Sequence, residues 1–377
     1  MRFLLFFLDK TIHQVFSDRQ MNDNEIFFFS DIASACRKGK CYLCGDINSL
    51  KFLSKKLEQP AKNIYNALIN RYAESKSIME LVNKVFVLTM NIDLSHNQLP
   101  NVLQQENKTQ ILLIENVMKW NISEPCCLIA ENLEDCDFYT LIAQIQNSQG
   151  ININFHKENG GGSTTSEVLC KCVTQDKVPT LCIIDSDKKY GSGKSFSPSK
   201  GVTLKKVMDT GKNISLNECN NPPYCIFPLE VHEVENLIPL CILEELKTQY
   251  PAMTEGLNIL LKLKNIQNGT PILYYDIKKG FSCIREENKR IYWEEILINL
   301  GGTKFDMPPT TEKTTSESKP FFPPLICNAG LLKQTNNLLR NNKLPKNFQI
   351  DKYLIPHWKN IKDIILTWGC VSIPMYS

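Results

Sequence analysis

The chain has 377 residues, 42% of them hydrophobic and 22% charged, which is enough for two or three domains with ordinary cores. A net charge of +3 excludes a protein that holds nucleic acid by bulk charge, and leaves room only for a local basic patch. The fifteen cysteines fall mostly in apolar runs, such as PCCLIA at Cys126 and Cys127 and LCIID at Cys182, so they read as small buried hydrophobes in a reducing cytosol rather than a secreted disulfide scaffold.

The first apolar run, Phe3 to Leu8, is closed by Asp9 and is too short for an export signal or a membrane span; it reads as a core strand or a helix start. Residues 1–115 read as a mostly helical region. NIYNALINRYAESKSIMELVNKVFVL repeats apolar residues at helical spacing, and Pro60 breaks the preceding segment into two helices.

The texture changes in 116–245. CCLIA, ININF, TLCIID and YCIFPLEV are short apolar or β-branched runs. DFYTLIAQIQNS and SEVLCKCVTQ between them read as helices, the alternation of a parallel sheet with covering helices. Residues 188–224, rich in Lys, Gly, Ser, Asn and Pro, read as a long irregular insertion. Residues 246–377 read as helical again, interrupted by a low-complexity flexible segment at 303–324. The expected fold class is therefore α/β, with a central sheet domain between two mostly helical flanks.

Three acidic segments carry the candidate chemistry. Glu131 ends the strand CCLIA, and Asp135 stands four residues on, where a first helical turn can bring both carboxylates to one side. Asp185 and Asp187 end the strand TLCII as an i, i+2 pair, which an extended segment would point to one face. Glu233 and Glu235 alternate along FPLEVHEVENLIP in the same way. Close carboxylates repel unless a cation holds them, and hard oxygen donors suit one or two Mg²⁺ or Mn²⁺ ions. Ligands in open α/β sheets bind beyond the carboxyl ends of strands. Gly160, Gly161 and Gly162 follow a strand and precede a helix; their backbone N–H groups could approach a phosphate, or could simply make a tight turn.

AENLEDCDFY resembles the opening motif of the Toprim domain, in which a glutamate ends the first strand and an acid follows four residues later, and IIDSD resembles that domain's Asp-x-Asp motif. With the glycine turn and HEVENLIP, residues 122–240 look like the Toprim modules of OLD-family nucleases and related effectors of phage defence. The resemblance implies metal binding by Glu131, Asp135, Asp185 and Asp187, with Glu235 a further ligand. It also implies a metal-dependent nuclease acting on DNA or RNA in the cytoplasm, as an effector of bacterial anti-phage defence. Asn132 stands where a glycine often follows the first glutamate, which loosens the match to topoisomerases and primases. A primase or topoisomerase subunit, or a non-catalytic nucleic-acid-binding or sensor protein on the same fold, remains the alternative.

GSGKS in KKYGSGKSF lacks the first glycine of a phosphate loop, because Lys188 stands there, so any nucleotide gating would need a separate ATPase or sensor subunit. Lys188, Lys189, Lys194 and Lys200 could instead contact nucleic-acid phosphates. Cys36, Cys41 and Cys44 offer half a zinc site with no second pair. His232, among Glu230, Glu233 and Glu235, could be a base or ligand, although lone histidines are more often structural. No stretch is long enough to span a membrane, and oligomerisation is left open.

Overall fold

The computed structural model describes residues 5–81, 85–91, 93–104, 109–122, 124–148, 150–188, 190, 203–217, 222–281, 287–301, 322–341, 344–346 and 348–371. The N-terminal region alternates strands and helices: β1 (Leu5–Leu8), α1 (Lys10–Asp18), α2 (Asp23–Arg37), β2 (Tyr42–Gly45), α3 (Ile47–Lys56), α4 (Ala61–Asn70), α5 (Tyr72–Leu81), β3 (Val85–Thr89), β4 (Thr109–Leu113) and α6 (Ile114–Val117). The four strands form one sheet in the order β2-β1-β3-β4, with β1–β2, β1–β3 and β3–β4 all parallel. The mostly helical expectation for 1–115 is thus corrected. LFFL, YLCG and VFVLT are buried at every residue, as strands covered on both faces are. Such runs show no alternation, and VFVL continues without a break from the helical pattern before it.

The next stretch holds β5 (Cys127–Ala130), α7 (Leu133–Ile145), β6 (Asn152–Ile153), β7 (His156–Asn159), α8 (Thr165–Cys170), β8 (Thr180–Ile184), α9 (Thr203–Asn217) and β9 (Tyr224–Pro228). A second four-stranded sheet has the order β7-β5-β8-β9, with β5 parallel to both β7 and β8. The α/β class with parallel sheets is as expected. Two details differ. The edge strand is HKEN, a polar segment suited to an exposed edge, rather than ININF. The insertion 188–224 contains α9, whose buried Leu204, Val207 and Ile214 keep helical spacing through a Thr-, Gly- and Asn-rich sequence.

The remaining elements are α10 (Leu240–Gln249), α11 (Thr254–Leu263), α12 (Glu287–Asn299), α13 (Leu331–Arg340), α14 (Ile355–Gly369) and β10 (Cys370–Val371), with a 3₁₀ segment at Gln267–Tyr274. The flexible stretch read at 303–324 lies almost wholly outside the described residues.

The chain forms two compact units. The first comprises Met1–Ile183, Lys206–Phe227 and Asn360–Ser377. In it the C-terminal segment returns to the N-terminal half: β10 pairs antiparallel with β6, and Cys370 and Leu366 pack with Leu5, Phe7, Val85 and Val87. The second unit comprises Ile184–Lys205 and Pro228–Lys359. An aromatic core of Tyr275, Phe281, Trp293 and Phe322 anchors it, with Phe281 and Trp293 centroids 4.7 Å apart. No helix among the described residues is long and apolar enough to cross a membrane.

Candidate functional site

In the first unit, β5 is the strand at which the sheet order reverses, because the chain pairs β7 on one side of it and β8 on the other. Crevices at such reversals, beyond the carboxyl ends of the strands, are where open sheets take ligands. Glu131 is the next residue and is half-buried. Asp135 is buried and serves the helix that follows. Its Oδ2 accepts from the Asn132 N–H at 3.0 Å, closing a capping box at the start of α7. The glycine turn is committed too. Gly160 N donates to Ala130 O at 2.7 Å, and Gly161 N to Glu131 O at 3.0 Å and to Asn159 Oδ1 at 3.0 Å. A Cβ on Gly160 would stand 2.7 Å from Ala130 O, and Gly161 and Gly162 have φ of +65° and +61°. The three glycines therefore let the turn clamp the backbone of Glu131, and the N–H groups of Gly160 and Gly161 are spent doing so.

In the second unit, Asp185 is half-buried and Asp187 exposed. Asp187 has φ +53°, so the segment is not extended and the same-face expectation for this pair does not hold. The loop is pinned to the third acidic segment. Ser186 Oγ donates to Val231 O at 2.6 Å, and Asp187 N to His232 O at 3.1 Å. Lys188 Nζ lies 5.3 Å from the centre of the Tyr274 ring. Lys189, Lys194 and Lys200 lie outside the described residues.

Residues Val234–Leu237 form a 3₁₀ turn rather than a strand, so Glu233 and Glu235 do not alternate as expected. They meet through Lys278, whose Nζ is 3.1 Å from Glu233 Oε2 and 3.0 Å from Glu235 Oε1. Burial first, and the Glu233 charge second, raise the Glu235 carboxyl above the usual carboxylate range. Burial would lower the Lys278 ammonium, but the two carboxylates outweigh it and hold it above the ordinary lysine range. Glu235 Oε2 and Glu233 Oε1 are buried and have no hydrogen-bond partner among the described residues. Asn236, fully buried, ties this turn to the segment before Asp276 by donating to Ile272 O at 2.7 Å and Tyr275 O at 2.8 Å. His232 Nε2 stands 3.9 Å from Asp276 Oδ2, close enough for charge attraction but too far for a direct hydrogen bond. Burial alone would raise the Asp276 carboxyl; His232 and the Lys279 N–H, donating at 2.8 Å, keep it below its usual value.

Asp276 and Lys278 carry no signal in the sequence. They lie in YYDIKKGF, more than forty residues from the groups they join, and nothing local marks them. Cys36, Cys41 and Cys44 are buried, and burial pushes the Cys41 and Cys44 thiols far up. Compared with known protein families, with characterised proteins and with solved structures, the chain matches none.

Proposed function

We propose that this chain is a divalent-metal-dependent nuclease of the Toprim kind, cleaving phosphodiester bonds of DNA or RNA. The observation that carries the reading is the parallel pairing of β5 with β8. The chain leaves both strands at the same edge of the sheet, with Glu131 next after one and Asp185 next after the other. The resemblance assigns binding of one or two Mg²⁺ or Mn²⁺ ions to Glu131 and Asp135 of the first unit and to Asp185, Asp187 and Glu235 of the second. The donors suit such ions: all are carboxylates, and the buried Glu235 Oε2, without a partner among the described residues, is an acceptor that a cation would satisfy. When bound, the ions would supply Lewis-acid stabilisation of charge on the phosphate oxygens.

The chain's own residues would orient this set. Ser186 and Asp187 fix the second acidic loop against the third through the 2.6 Å and 3.1 Å bonds above. Lys278 holds Glu235 by one oxygen and leaves the other available. Lys188 would place an ammonium toward a phosphate backbone. Cellular work as a cytoplasmic anti-phage effector, with a separate ATPase or sensor partner, belongs to the same proposal.

The test is cleavage of plasmid DNA, single-stranded DNA and tRNA with Mn²⁺ or Mg²⁺ by wild type and by the double variant Asp185→Ala, Asp187→Ala. Wild type should cut at least one substrate, and the double variant at least ~100-fold more slowly. Equal cutting by both, or none by wild type, would sink the nuclease reading.

A further inference from the structure

We propose that His232, Glu233 and Asp276 form a second cation site, one with a nitrogen donor and a preference for Mn²⁺ or Zn²⁺ over Mg²⁺. One ligand atom from each of the three residues lies within 4.8 Å of the other two. Carboxylate and imidazole donors on such ions stand ~2.0–2.2 Å from the metal and so about 3–4 Å apart, so side-chain rotations of about an ångström would complete the arrangement.

The second observation is the set of polar atoms that this group leaves unsatisfied. His232 is only 7% exposed, and its Nδ1 has no partner among the described residues while its Nε2 faces Asp276. Glu233 divides its oxygens: Oε2 takes Lys278, while Oε1 is buried with no hydrogen-bond partner among the described residues, the carboxylate also standing over the Asn236 N–H as cap of the 3₁₀ turn. A buried acceptor left unpaired costs free energy, and Glu233 Oε1 is one that a cation would satisfy, while His232 would give the same ion one ring nitrogen and keep the other as an N–H. Charge points the same way. Three carboxylates, Glu233, Glu235 and Asp276, outnumber the two ammonium groups that act on them, Lys278 and Lys279.

The frame holding the ligands is built before any ion arrives. His232 donates its backbone N–H to Leu273 O at 2.8 Å and accepts from Asp187 N at 3.1 Å. Asn236 fixes the turn after Glu233 to the chain just before Asp276. Three ligands from two segments are thus held by backbone bonds rather than by one another. An imidazole with two carboxylates suits borderline ions, and zinc binds such a set more tightly than manganese, whereas Mg²⁺ prefers oxygen alone.

This site is independent of the nuclease reading and is detected by metal binding, not cleavage. Full-length protein stripped with chelator is titrated with Mn²⁺ and followed by electron paramagnetic resonance, including pulsed detection of nitrogen coupling. The Asp185→Ala, Asp187→Ala variant should keep a Mn²⁺ site with nitrogen coupling. His232→Gln should lose the coupling, and the isosteric Asp276→Asn should weaken that site at least ~10-fold. Equimolar Zn²⁺ should displace the nitrogen-coupled Mn²⁺, and a large excess of Mg²⁺ should not. Nitrogen coupling absent from the Asp185→Ala, Asp187→Ala variant would overturn the proposal, as would coupling unchanged in His232→Gln. Because Asp276→Asn changes one atom at constant shape, its circular dichroism and thermal midpoint separate lost binding from lost fold.

Discussion

Asp9 follows β1 as Glu131 follows β5, and β1 is also the strand at which its sheet reverses order. Burial separates the two. Asp9 is 2% exposed; its Oδ1 accepts from the Thr11 backbone at 3.1 Å and the Thr11 hydroxyl at 2.5 Å, and its Oδ2 has no partner among the described residues. Burial outweighs those bonds and raises the carboxyl from 3.8 to about 6. Between about pH 4 and 6 the folded chain therefore keeps a proton that the unfolded chain gives up. The stability linked to this group is full below pH 4, falls as pH rises through 6, and is lowest above it, a swing of up to about 3 kcal/mol. Asp9→Asn keeps the acceptor for Thr11 and removes the charge. It should raise the urea midpoint at pH 7.5 and leave it unchanged near pH 4. An equal shift at both pH values would show that the buried charge is not the cause.

At the scale of elements, the acids are presented by turns and caps more than by strands. Asp187 is left-handed, Glu233 caps a 3₁₀ turn that contains Glu235, and Asp135 caps α7. Two-residue alternation therefore misjudges where these side chains point, although it finds the right segments. The cap predicts its own cost. Asp135→Ala removes the acceptor for the Asn132 N–H and should destabilise the fold by about 1 kcal/mol in urea, with or without divalent metal. No loss of stability in metal-free buffer would mean that the carboxylate does nothing for the helix.

Across the whole molecule, the chain order and the units disagree. Residues 360–371 belong with the first unit, where Trp368 is fully buried and its ring centre is 6.2 Å from that of Phe86 on β3. The indole N–H has no hydrogen-bond partner among the described residues, so its contribution is packing alone. Trp368→Ala should cost about 3–5 kcal/mol, measured by chemical denaturation. Trp368→Phe should cost much less, since it keeps most of the apolar ring and loses no bond. A Phe variant as unstable as the Ala variant would contradict that account.

The sequence by itself determined the α/β class, the positions of β5, β8 and α7, the helical character of the C-terminal region, and the three acidic segments. Those features are local: apolar runs of fixed length, helical spacing, and acids just past them. It hid the N-terminal sheet because strands buried on both faces lose the alternation that distinguishes them from buried helix. It also hid α9, whose buried face is sparse. Only tertiary structure decided that Lys278 bridges Glu233 and Glu235 and that Asp276 joins His232. Those partners come from a segment more than forty residues away, brought in by the aromatic core around Tyr275 and by Asn236, and no spacing along the chain encodes a contact made that way.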